Sequence, residues 1–314
     1  MDKKLIQILV VTALATAAFL LVAQTVFGTA TTTSVTSSAT VTTTAPIVSF
    51  VSGPNGGTAI SLNANTTTPI SVAVTVTDYN GCTDFNNSTE TIALFRGDIA
   101  SSSCLTSSTP NPLFCYVASA FSTSTCPGGF TANATTTFSM YYFASPTDNA
   151  SYTYNGKGWQ GAITVTNPAK LSVSTTSATT TLNSLEAISS TPSSIAYGTL
   201  APAQVNSPSV TTTISDVGNT STTFQFSATQ SLTGGVPTTT LVTSSQQYAT
   251  SSGFTYGTGY ALSSTPVTLN GVSIAAPIST TTVSTNIFWL LQVPTGTPTG
   301  TYNGTNLFTG QSVN

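Results

Sequence analysis

The sequence predicts an all-β protein of two tandem sandwich domains behind an N-terminal leader. Short apolar runs alternate with Gly, Pro, Asn and Ser at roughly the 8 to 12 residue spacing of sandwich strands, and no 3.6-residue period appears after the leader. Composition is the third observation. Of 314 residues, 110 are Ser or Thr, five are Lys or Arg, eight are Asp or Glu, and none is His. A soluble domain usually carries about a quarter charged residues, so hydroxyls and amides must supply the polar surface here.

Residues 1–30 open with Lys3 and Lys4, then run apolar over 5–28, with small Gly28 and Ala30 placed for a cut after Ala30. That is a signal peptide or, since the run approaches the roughly 20 residues that cross a bilayer, a retained membrane anchor. Removing it leaves 284 residues (314 minus 30), enough for about two domains. Residues 31–45 are almost wholly Thr, Ser, Ala and Val, an extended linker or stalk with little to bury.

The first domain is expected over 46–170. Its clearest strand is 70–77, where Ile70, Val72, Val74 and Val76 alternate with small polar residues, and Asn80-Gly81 then suits a tight hairpin turn. Strands are also expected at 92–95, 113–117, 138–143 and 159–166, the last with Trp159, Gly161, Ile163 and Val165 on one face. Residues 171–184 read as a second Ser/Thr-rich connection, with room for a strand start. The second domain, 185–314, offers strands at 195–200, 222–228, 238–242, 267–274, 282–293 and 301–309. The continuous apolar run 287–291 fits a strand covered on both faces.

The phrases Ile195-Ala-Tyr-Gly-Thr-Leu-Ala-Pro-Ala203, Asp216-Val-Gly-Asn-Thr220 ahead of Phe224 and Phe226, and Val293-Pro-Thr-Gly-Thr-Pro-Thr-Gly-Thr-Tyr302 resemble repeated Ig-like β-sandwich modules of bacterial and archaeal surface proteins. Through Val74-Thr-Val-Thr-Asp78 and Ile163-Thr-Val-Thr166, the first block is similar to Ig-like or cadherin-like modules. The resemblance implies an extracellular scaffold of two Ig-like sandwiches and transfers no catalytic residue. The four cysteines of the first block depart from typical modules.

Cys82, Cys104, Cys115 and Cys126 are an even set in an exported chain, which reads as two disulfides with three connectivities open; Cys104 with Cys115 and Cys82 with Cys126 is one of them. No CxxC or Cys/His grouping supports a metal instead. Asp78, Asn80 and Asp84 lie at a spacing loosely like a calcium loop, yet the loop lacks a bidentate acid at its far end, and a hairpin capped by Asp explains the same residues. Asn65, Asn86, Asn87, Asn133, Asn149, Asn219 and Asn303 begin N-x-S/T triplets, which a Thr-rich chain also produces by chance. The aromatics Tyr141, Tyr142, Phe143, Tyr152 and Tyr154 would serve a sugar-binding platform if exposed, whereas alternation along a strand assigns them to packing. Lys157 beside Asn155 and Asn167 raises a Lys–Asn crosslink, which needs a buried acid next to the pair.

Composition excludes more than it names. After the leader the cations are Arg96, Lys157 and Lys170, too few for a phosphate footprint, so nucleic acid is not an expected partner. Without His, a Ser or Cys nucleophile lacks its usual base and the commonest catalytic metal ligand is missing; carboxylate pairs such as Asp78/Asp84 or Glu90/Asp98 carry no mark of an acid–base couple. The protein is therefore expected not to be an enzyme and to need no cofactor. Few titratable groups also lead us to expect little acid sensitivity of folding. The expected role is structural, at the cell surface, in a filament or surface layer assembled through β-strand contacts; an adhesin or carbohydrate-binding module is the alternative. Expected partners are further copies, other surface proteins or glycans, and a membrane only through an uncleaved leader. Residues 31–51 are strand-prone enough to add to a neighbour's sheet, although 47–51 suits a first strand of its own domain slightly better.

Overall fold

The computed structural model describes residues 34–81, 90–118, 122–123, 129–166 and 171–313. Packing divides the chain into two units, Met1–Thr42 and Thr43–Asn314. In the first, the described residues are exposed and form no strand. The leader lies outside the described residues, among which no helix is long and apolar enough to cross a membrane.

The second unit is built from antiparallel strands. In chain order they are β1 (Ile47–Phe50), β2 (Thr67–Thr77), β3 (Thr91–Arg96), β4 (Cys115–Ala118), β5 (Ser122–Thr123), β6 (Thr131–Tyr141), β7 (Trp159–Thr166) and β8 (Ser172–Thr176). There follow β9 (Ile188–Thr191), β10 (Val210–Asp216), β11 (Thr222–Gly234), β12 (Thr239–Leu241), β13 (Gln246–Ala249), β14 (Tyr260–Ala261), β15 (Val267–Ile274), β16 (Val283–Leu291) and β17 (Tyr302–Ser312). Among the described residues the strands are interrupted by one α-helical turn, α1 (Ser101–Leu105), and two short 3-10 turns, Pro54–Gly57 and Thr243–Ser245. Helix was not expected there.

Two sheets enclose the first core. The order β1-β2-β6-β5 faces β4-β3-β7-β8, and Ile70, Val72, Val74 and Val76 of β2 point inward as their alternation requires, packing with Ile92, Leu94, Trp159 and Ile163. The sheets come so close at Gly161 that a Cβ there would meet Val72 at 2.8 Å and Phe50 at 2.9 Å. The second core lies between β14-β13-β16-β10-β9 and the sheet in which β11 carries β15 and β12 on one side and β17 on the other. Phe224, Phe226, Tyr248 and Trp289 fill it, with Phe226 edge-on to Tyr248, Trp289 and Phe308.

Three expectations change. Asn80-Gly81 is not a hairpin: β2 pairs β1 and β6, and the next described strand, β3, belongs to the facing sheet. Gly81 still turns with φ 116°, its N–H bonded to the Asp78 carbonyl. Residues 171–184 are more than a connection, because β8 completes the second sheet and Leu182 is buried in the first core, bridged to Ile60. Residues 195–200 form no strand; β9 and β10 take that role on either side. Residues 47–50 pair with β2 of their own sheet, as the reading of 47–51 as a first strand of its own domain expects.

Candidate functional site: a neutral sheet edge and its groove

The expected site residues that lie among the described residues can be placed. Cys104 on α1 and Cys115 at the start of β4 form a disulfide across 11 residues, beside Phe95 and Ala162. Cys82 and Cys126 lie outside the described residues. Asp78 ends β2 fully buried; its Oδ1 accepts the Asn80 N–H at 2.9 Å, while its Oδ2 has no hydrogen bond. Asn80 is exposed, and its Oδ1 accepts both the N–H and the hydroxyl of Thr44, at 2.9 and 3.1 Å. That oxygen is turned to Thr44. Asp84 lies outside the described residues, among which no three acid, thiol or imidazole groups gather as metal ligands.

Asn65, Asn133 and Asn303 are exposed and Asn149 is half-buried, while Asn86 and Asn87 are outside the described residues. Asn219 differs. It is 4% exposed, its amide donates to the carbonyls of Ala144 and Asn183, and its Oδ1 accepts the Leu185 N–H at 2.6 Å. Tyr142 and Phe143 are buried, and Tyr141 stacks on Phe143 at 5.1 Å. Tyr154 lies over the Arg96 guanidinium, 3.3 Å from ring centroid to carbon. These rings pack rather than form an open platform. Lys157 is exposed, away from the buried setting a crosslink needs.

Three of the acids lie out of their usual range. Glu90, 1% exposed with neither carboxyl oxygen hydrogen-bonded, is pushed up to about 7 by burial. Burial also raises Asp216, against hydrogen bonds from Gly218 N–H and Thr222 Oγ1 that favour its charged form. The Arg96 guanidinium, bonded to Asp98 at 2.6 and 3.0 Å, holds that carboxyl low.

What the fold does expose is sheet edge. Among the described residues β17 pairs with β11 alone, and β9 with β10 alone. A Cβ on Gly310 of β17 would come within 3.0 Å of Ile188 of β9. Further along lies a groove of about 510 Å³ lined by Ser190 of β9, by 192–195 and Tyr197 after it, by 302–306 and Phe308 of β17, and by Leu232 and Gln246. No carboxylate, ammonium or guanidinium lines it. Its floor is fixed by a closed set of amide bonds: Tyr197 Oη donates to Gln246 Oε1 at 2.9 Å, Asn306 Nδ2 donates to the same oxygen, and Gln246 Nε2 donates to Asn306 Oδ1 at 3.4 Å. Sequence reasoning found β17 but not the groove, because nothing in the sequence says which strand ends a sheet.

No family model matches the chain, and no curated protein matches it. Among solved structures it is similar to the CsuC–CsuE chaperone-tip adhesion subunit pre-assembly complex of Acinetobacter baumannii, at 10% identity and a TM-score of 0.35 over 84% of this chain and 100% of that one. It is also similar to dimeric latent PorU of Porphyromonas gingivalis, at 11% identity and a TM-score of 0.25 over 81% of this chain and 24% of that one. A structure titled BspA_C_WT aligns over 86% of this chain and 100% of its own, at 10% identity and a TM-score of 0.17. At these scores the chain's β-rich architecture rests on its own strands.

Proposed function

We propose that the protein is an extracellular structural protein of the cell surface, a subunit of a filament or surface layer joined through β-strand contacts. One observation carries this reading. Among the described residues every edge strand, whether β1 or β5, β4 or β8, β14 or β9, or β12, β15 and β17, is free of Asp, Glu, Lys, Arg and Pro. Folded proteins usually guard such edges with charge or proline, because an exposed row of N–H and C=O groups templates pairing with another chain. Leaving them neutral suits a subunit meant to join its neighbours. The hydroxyl-rich surface and the Cys104–Cys115 disulfide fit an oxidising space outside the cell. We further read the working parts as surfaces rather than a catalytic centre, with sugars, where the host adds them, at the exposed Asn65, Asn133 and Asn303.

Sedimentation and negative-stain electron microscopy over a 100-fold concentration range test this. Ordered multimers that grow with concentration are expected, and particles that stay single throughout would reject the proposal.

A further inference from the structure

We infer that the groove beside β17 receives residues 34–41 of a second copy of this chain, added as a strand to the outer edge of β17. The inference rests on the assembly reading above and names its two contacting parts.

Three observations converge on that occupant. The first is the pattern of the segment. Val35, Ser37, Ala39 and Val41 alternate with Ser34, Thr36, Ser38 and Thr40, so an extended chain presents one hydroxyl face and one small, partly apolar face. The described segment has no strand to sit in, and Val35 and Val41 are 89% and 86% exposed. The second is length. Eight extended residues reach about 26 Å at roughly 3.3 Å each, and the groove runs beside seven residues of β17, 302–308. The third is chemistry. A strand added to β17 turns alternate side chains toward the face that Asn306 and Phe308 present to the groove. Small neutral side chains fit a lining of Ser, Asn, Tyr and Phe with no charge in it, whereas a charged segment would lose its hydration there without a partner. Because donor and acceptor surfaces differ, the contact is head-to-tail and propagates into a chain of subunits.

Two double variants of the full chain separate the parts. Val35→Asp/Val41→Asp alters only the exposed segment, and Ser193→Asp/Ser194→Asp only the groove wall. Melting within a few degrees of the parent confirms that each is folded. Each alone is expected to associate at least 10-fold more weakly than the parent, and an equimolar mixture to stop at 1:1 dimers, since one intact donor meets one intact groove. If the parent assembles and both variants assemble to within two-fold of it, the groove inference is overturned while the assembly reading stands. If only the groove variant fails, another segment fills the groove and the assignment of 34–41 is overturned. A parent that never assembles overturns both.

Discussion

At the scale of single residues, the chain is nearly without charge, yet several of its ionisable groups are buried. Glu90 matters most for stability. Its carboxyl has no hydrogen bond, and its folded value of about 7 lies above the unfolded 4.5, so folding binds a proton more tightly. The stabilisation is full below about pH 4.5 and lost as pH rises through 7. A melting temperature that falls between pH 5 and pH 8 is expected, worth on the order of 2 to 3 kcal/mol. Glu90→Gln should flatten that slope and raise the melting point at pH 8. Asp98 works in the other direction: its lowered carboxyl stabilises above its unfolded value of 3.8 and loses that contribution as pH falls through its folded value. Being partly exposed, it adds little. Of these two carboxyls the larger effect favours acid. Calorimetric scans from pH 3 to pH 9 check both signs. For the disulfide, loop closure over 11 residues predicts a loss of about 2 to 3 kcal/mol in Cys104→Ser/Cys115→Ser, read from denaturant midpoints.

At the scale of elements, strands were legible where alternation was apolar and illegible where it was polar. β2, β7 and β15 were found with their inward faces or their bounds because Val, Ile, Leu and Trp mark the buried positions. β10 was missed because its inward positions include Thr212 and Asp216 beside Ile214, and both polar groups are satisfied inside the core. Thr212 Oγ1 accepts the Trp289 indole N–H at 2.8 Å, and Asp216 Oδ2 accepts the Thr222 hydroxyl at 2.9 Å. β6 began seven residues earlier than expected, since Ala132, Ala134 and Thr136 are its first inward residues and small side chains leave no hydrophobic signal. A buried hydroxyl pattern cannot be told from a linker until its partners are known. The close approach at β7 gives a sharp test: Gly161→Ala forces a methyl against Val72 and Phe50 and should cost about 1 to 3 kcal/mol by overpacking, seen as a lower denaturant midpoint with an unchanged slope.

At the scale of the molecule, buried amides do work that charge does elsewhere. Asn219 ties the β10–β11 turn to Ala144 after β6 and to Asn183 and Leu185 beyond β8, so it fastens the strands around one core to those around the other. Asn219→Ala leaves those groups without partners and is expected to cost about 2 to 4 kcal/mol, measured by chemical unfolding. Neutral edges also set how assembly should respond to solution conditions. Association between uncharged strands is expected to change less than two-fold between 50 mM and 500 mM salt, where contacts between charged surfaces would weaken. Sedimentation at both salts decides the matter.

The sequence by itself determined the all-β class, the inward faces of the apolar strands, the neutral hydroxyl surface and the scarcity of catalytic groups, because composition and period-two alternation are local properties of a chain. Only the tertiary structure decided that the next described strand after Asp78 lies in the facing sheet rather than pairing back, that Asn219 is a buried fastener, and that among the described residues β17 ends its sheet beside an uncharged groove. Those depend on which distant strands pair, and an edge exists only by virtue of the neighbour that is not there.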